Sequence, residues 1–161
     1  MAVPGSRGSR RSPSFPREHM TRTVAVAPAL IVCCVDYRYI QAIQRFVRRR
    51  FNVARYSLKA DAGGTRALLR GPRAVRAWIW RNLTLAYERQ GIRRFFLFHH
   101  RDCLLYGGSS AFANPAQEAA AHLRDLRCAR ALLKQRFHDI QVTTFYAYET
   151  TRGIRFKTSG E

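Results

Sequence analysis

Short apolar runs alternate with amphipathic stretches along residues 29–149, and that alternation restricts the chain to a small set of folds. The segment "VAVAPALIVCCVD" contains a continuous apolar run, which predicts a buried strand over 29–34. In "YIQAIQRFVRRRF" (39–51), Ile40, Ile43, Phe46 and Val47 recur at helical spacing with arginines opposite them. "ARYSLKA" (54–60) alternates as a strand does, and "DAGG" (61–64) breaks it. A long helix is expected over 72–91, with Pro72 in its first turn and Gly91 as its C-terminal cap. A strand over 92–98, a helix over 114–137 opened by Asn114, and a last strand over 140–149 complete the series. Strands separated by helices join through right-handed crossovers into parallel βαβ units. The expected fold class is therefore α/β, a Rossmann-like parallel β-sheet of about four strands flanked by helices.

A length of 161 residues suits one domain. Residues 1–22 differ in composition from the rest. They are rich in Pro, Gly, Ser and Arg and read as a disordered basic leader, which leaves 23–161 as a single α/β domain. An organellar transit peptide is one explanation of such a leader; an upstream start codon, with Met20 the natural start, is another. No apolar run approaches the ~18–20 residues that span a bilayer, so no membrane role is expected.

The formal net charge is +19, and it is carried almost wholly by arginine, since Lys59, Lys134 and Lys157 are the only lysines. Abundant arginine and alanine fit a compositional bias that leaves a solvated basic surface. The same charge predicts non-specific contact with polyanions such as nucleic acid at low salt. The four cysteines are Cys33, Cys34, Cys103 and Cys128. Without an apolar secretory segment, they point to a reducing, cytoplasmic setting and to thiolate chemistry in place of disulfides. Cys128, within a helical pattern, is expected to be a small core residue.

Two strand ends carry chemistry. The first strand runs into Cys34-Val-Asp36-Tyr-Arg38, and the third into His99-His100-Arg-Asp102-Cys103. In open α/β sheets, ligands sit at the carboxyl ends of strands, where the strand order reverses. If these two strands are neighbours, Cys34, His100 and Cys103 converge as two thiolates and an imidazole. Three protein ligands with one open position form the catalytic zinc pattern. Asp36, fixed by Arg38, would stay ionised and accept a hydrogen bond at such a site. His99 precedes His100 and should point to the other side of the sheet.

These residues resemble the β-class carbonic anhydrases. The family pattern is Cys-x-Asp-x-Arg after one strand and His-x-x-Cys after a later one, found here as Cys34–Arg38 and His100–Cys103. The "HHRDC" form is similar to the short bacterial branch, whose members also carry an Asn-Ala-Gly-Gly loop. Here that loop is Asp61, Ala62, Gly63 and Gly64. The resemblance implies Zn²⁺ as cofactor, held by Cys34, His100 and Cys103. It implies reversible hydration of CO₂ to bicarbonate, with Asp36 and Arg38 as catalytic residues and the Asp61–Gly64 loop at the substrate pocket. It also implies a homodimer or a higher homo-oligomer. Asp36 as a fourth ligand in a closed resting form is compatible with it.

Two positions depart from the family pattern. The glycine that follows the second cysteine is Leu104, expected to add bulk close to the metal, and the loop's first residue is Asp61, which adds a negative charge. These departures define the alternative: an anhydrase-like zinc scaffold that binds polyanions or nucleic acid without hydrating CO₂, or that acts on a related small molecule such as CS₂ or COS. Several further residues read as structural. Asp102 should cap a turn or pair with an arginine. Tyr37, Tyr39, Trp78 and Trp80 should pack in the core or at an interface. No role is assigned to His122 and His138, which sit in helical patterns.

Overall fold

The computed structural model describes residues 27–159. The elements run β1 (Leu30–Cys33), α1 (Tyr37–Phe51), β2 (Ser57–Ala60), α2 (Arg66–Arg70), α3 (Arg73–Arg89), β3 (Arg94–His100), α4 (Pro115–Arg136), β4 (Gln141–Thr150) and β5 (Gly153–Thr158), with two 3₁₀ turns, Leu104–Tyr106 and Ser109–Ala111, between β3 and α4. The sheet order is β2-β1-β3-β4-β5. The pairs β1–β2, β1–β3 and β3–β4 are parallel; β5 returns antiparallel along β4.

The sheet is covered on both faces, as its apolar strands require. On one face, Leu30, Val32, Phe95 and Leu97 pack against Ile79 and Leu83 of α3 and against Leu126, Ala129 and Leu133 of α4. On the other face, Ile31, Phe96 and Phe98 pack against Tyr39, Ile43 and Val47 of α1. Those three α1 residues recur every fourth position, so they form one stripe, and the helix arginines face away from it. Truncating a core ring such as Phe98 to alanine would cost about 3–5 kcal/mol.

Both site-bearing helices have defined starts. Asp36 caps α1, its side chain accepting from the Arg38 N–H at 3.0 Å, and Asn52 ends the helix in a left-handed conformation. Asn114 caps α4 by accepting from Gln117 N–H at 2.9 Å, while Gln117 Oε1 accepts from Ala113 N–H at 2.7 Å. Pro115 occupies the first helical turn, where it gives up no helical hydrogen bond.

The chain leaves β1 for β2 on one side and returns with β3 on the other, so strand order reverses between β1 and β3. That crevice lies at the carboxyl ends of the strands that carry Cys34 and His100.

The structure corrects the sequence reading in several places. The sheet has five strands in place of about four: a two-residue turn after Thr150 starts β5, whose Ile154 and Phe156 add to the α1 face of the core. The short helix α2 follows the glycine loop, where no helix was expected. Cys128 is exposed, so it is not a core residue. His138 lies beyond the end of α4. The two tryptophans agree with the expectation of core or interface: Trp80 packs at the margin of the core, and Trp78, 59 % exposed, has the surface position an interface requires. The basic leader expected over residues 1–22 lies outside the described residues. Among the described residues, no helix is long and apolar enough to cross a membrane.

Candidate metal centre

β1 and β3 run side by side, with Leu30 opposite Phe95 and Val32 opposite Leu97. This register brings their carboxyl ends to one edge of the sheet. Cys34 follows β1 directly; His100 is the last residue of β3, and Cys103 stands three residues further on. The ligand atoms of Cys34, His100 and Cys103 all lie within 4.8 Å of one another, and all three residues are buried.

The imidazole of His100 is oriented before any ligand arrives. Its Nδ1 lies 2.7 Å from the carbonyl oxygen of Arg101, and its ring stacks on Tyr39 with centroids 4.4 Å apart. Tyr39 OH donates to the same carbonyl at 3.3 Å. The other ring nitrogen, Nε2, is buried and meets no hydrogen-bond partner among the described residues. A buried polar atom left unpaired costs stability, so this one calls for a ligand. Two thiols and an imidazole around that atom suit a borderline-soft cation.

The two thiols differ in their surroundings. The Cys34 thiol is pulled far down, first by the neighbouring Cys103 thiol, then by His100 and the N–H groups of Asp36 and Gly63, against a burial penalty. Cys103 is pushed up, first by Cys34 and then by burial. The environment thus favours the ionised form at Cys34 over Cys103. Gly63 N–H reaches Cys34 Sγ at 3.3 Å. Gly64 comes so close to β1 and β3 that an added Cβ would stand 3.0 Å from the Phe98 carbonyl oxygen, and its φ is +59°. Cys33 lies on the α1 face among apolar side chains, and burial pushes its thiol up to about 12, so it is inert.

Beside the cysteines, Arg38 grips Asp36 at close range. Arg38 Nη2 donates to Asp36 Oδ2 at 2.7 Å, and Nε lies 3.1 Å from both carboxylate oxygens. The Arg38 side chain holds the Asp36 carboxyl below the usual carboxylate range. Asp36 Oδ2 stands 4.0 Å from His100 Nε2, so the carboxylate borders the cluster. Arg38 Nη1 reaches on to Asp102 Oδ2 at 3.3 Å. Asp102 also caps the following turn, its Oδ1 accepting from Ser109 N–H at 3.0 Å.

The loop Asp61–Gly64 divides in two. Gly63 and Gly64 touch the site through backbone. Asp61 and Ala62 line a neighbouring cavity of about 480 Å³ together with Arg66, Trp78 and Leu105. Asp61 spends its charge on Lys59, 2.8 Å away. Leu104, expected to crowd the metal, is 84 % exposed, because the 3₁₀ turn after Cys103 swings its side chain outward.

His99 faces away from the centre, as expected from strand alternation. It joins a buried polar cluster with Thr65, Tyr106 and His122, and burial pushes its pKa down to about 3. Sequence reasoning missed His122 and Glu118. A signal was available: Glu118, His122 and Asp125 recur at spacings of four and three on the same helical stripe as Leu126, Ala129 and Leu133, so three polar residues lie on an otherwise apolar face.

Residues 24–154 match the family model described as "Putative carbonic anhydrase". The chain belongs to this family. An uncharacterized protein of Rickettsia conorii is 25% identical over 134 residues, covering 80% of this chain and 70% of that protein. Among solved structures, a carbonic anhydrase from Glaciozyma antarctica superposes with a TM-score of 0.53 at 18% identity, over 86% of this chain and 87% of that one. The β-carbonic anhydrase isoform I of Trichomonas vaginalis gives 0.52 at 11% identity, over 94% and 90%. At these identities the likeness is one of fold: this carbonic anhydrase family member shares the five-strand α/β architecture of the β class.

Proposed function

We propose that this chain is a zinc-dependent carbonic anhydrase that hydrates CO₂ to bicarbonate. One observation carries the reading: the buried Nε2 of His100, with no hydrogen-bond partner among the described residues, converges with Cys34 and Cys103 beside an arginine-held carboxylate. Cys34, His100 and Cys103 would hold the ion. When bound, zinc supplies the Lewis acidity that lets water act as a nucleophile near neutral pH.

The residues of the chain do the rest. Asp36 accepts a hydrogen bond from the attacking water and turns an oxygen lone pair toward the CO₂ carbon. The new C–O bond gives bicarbonate, and the water's proton passes to solvent buffer. Asp36 does not carry that proton, because Arg38 keeps it ionised. His99 does not carry it either, being neutral, buried and on the opposite side of the sheet. Arg38 orients Asp36, and Tyr39 with the Arg101 carbonyl fixes the plane of His100. Hydration measured by stopped flow on zinc-loaded protein, beside zinc-loaded Arg38→Ala, tests the reading. Wild-type rates in that variant would refute the mechanism, and an inactive zinc-loaded wild type would refute the function.

A second reading has its own support. Arg45, Arg49, Arg50 and Arg155 border a groove of about 830 Å³ between α1 and β5, and no carboxylate among the described residues lines it. A zinc-stabilised scaffold that binds nucleic acid there would show salt-dependent binding without hydration.

A further inference from the structure

The buried stripe of α4 changes chemistry along its length. Its C-terminal part, Leu126, Ala129 and Leu133, is apolar; its N-terminal part is Glu118, His122 and Asp125, each at most 2 % exposed. All three polar residues engage one segment, His99 to Ser109, which carries two of the three candidate ligands. His122 meets His99, and Asp125 accepts from Tyr106 OH at 2.9 Å.

Glu118 makes the closest contacts. Its Oε1 accepts the backbone N–H of Asp102 at 2.6 Å, and its Oε2 accepts from Ser109 Oγ at 2.8 Å and lies 3.7 Å from Arg101 Nε. Asp102 is the residue before Cys103, and its φ is +57°, in the left-handed region. A non-glycine residue keeps that conformation only when its surroundings enforce it. Asp102 is also the second carboxylate on Arg38. A line of contacts therefore runs from Glu118 through Asp102 to Arg38 and Asp36.

We infer that Glu118 is a positioning residue for the metal centre: it holds Asp102 in its left-handed turn and so sets where Cys103 Sγ and the Arg38 guanidinium stand. The inference rests on the zinc reading above. Glu118 has no free oxygen directed at a ligand, so its role is exerted through the loop alone.

The test reads metal, not turnover. Zinc-loaded protein is mixed with a chromogenic chelator, and the rate of zinc release is followed. Glu118→Ala should release zinc about 10–100-fold faster than wild type. Glu118→Gln, which keeps a carbonyl oxygen for Asp102 N–H, should show a smaller acceleration. Leu133→Ala weakens the same helix remote from the loop and should release zinc at the wild-type rate. In the cobalt(II)-substituted chain, the thiolate-to-cobalt absorption band should change in Glu118→Ala and not in Leu133→Ala. Wild-type release in a folded Glu118→Ala overturns the inference. If that variant does not fold, wild-type release in both Glu118→Gln and Ser109→Ala does so. Equal acceleration in Leu133→Ala overturns it too, since the effect would then be general loss of stability. A wild-type chain that takes up no zinc sinks this inference and the zinc reading together. A zinc-loaded wild type that fails to hydrate CO₂ sinks only the hydration reading, because release kinetics still report on Glu118.

Discussion

His100 donates through Nδ1 to the carbonyl oxygen of Arg101, 2.7 Å away. A carbonyl can only accept, so the proton of the neutral ring is on Nδ1 and the lone pair is on Nε2. The tautomer that can bind a metal is thus selected by one backbone oxygen, and Nε2 is directed into the space between two cysteines.

From this follows the expectation of about one zinc ion per chain after reconstitution under reducing conditions. Elemental analysis checks it. Cys34→Ser and His100→Ala should each lose most of that zinc, whereas Cys33→Ser should retain it, since Cys33 faces the core of the other layer. Zinc at wild-type content in Cys34→Ser would contradict the assignment.

Arg38→Ala and Asp36→Asn should keep their zinc and lose about 10–100-fold in hydration rate. Neither change removes a candidate ligand. Arg38→Ala frees the carboxylate to rotate and raises its pKa toward normal; Asp36→Asn replaces the charge with an amide. Zinc content and kcat/KM measured on the same preparation separate this outcome from simple loss of metal.

Stability should fall in mild acid. Burial pushes His99 and His122 from about 6.5 down to about 3 in the folded chain. Below the unfolded value the unfolded chain binds protons that the folded chain cannot. Stability is therefore full above about pH 6.5 and is lost progressively as pH falls toward about 3. Urea unfolding of metal-free protein between pH 7 and pH 5 should show this slope, and His122→Gln should make it shallower. An unchanged slope would contradict the assignment to His122.

The chain should form a dimer or a larger homo-oligomer. β2 is a sheet edge, and Leu58 on it, with Trp78 and Leu85 of α3, exposes 41–59 % of its surface. Apolar side chains beside an open edge favour cover by another chain. Light scattering at micromolar concentration should report more than the monomer mass, and Trp78→Glu should reduce it. A monomeric wild type would refute the expectation.

Much of this was legible in local pattern. The alternation of strands and helices, the stripe on α1, and the two strand-end motifs depend on neighbours within a few residues, and such periodicity is printed directly in the chain. Even β5 was readable after the fact, since Ile154 and Phe156 alternate with polar residues. Its sparse apolar content hid it, because Ile154 and Phe156 stand alone among Gly153, Arg155, Lys157 and Thr158.

The sequence by itself determined which side chains could meet: the spacing of Cys34, Asp36 and Arg38 after one apolar run, and of His100 and Cys103 after another, requires only that the two runs be parallel neighbours. The tertiary structure decided what each of them touches. It put Leu104 into solvent and left Cys128 exposed. It also brought Glu118 of α4 onto Asp102, sixteen positions earlier. No local pattern encodes such contacts. They depend on the turn a backbone takes after its strand and on which helix closes over it, and both are set by how the whole core packs.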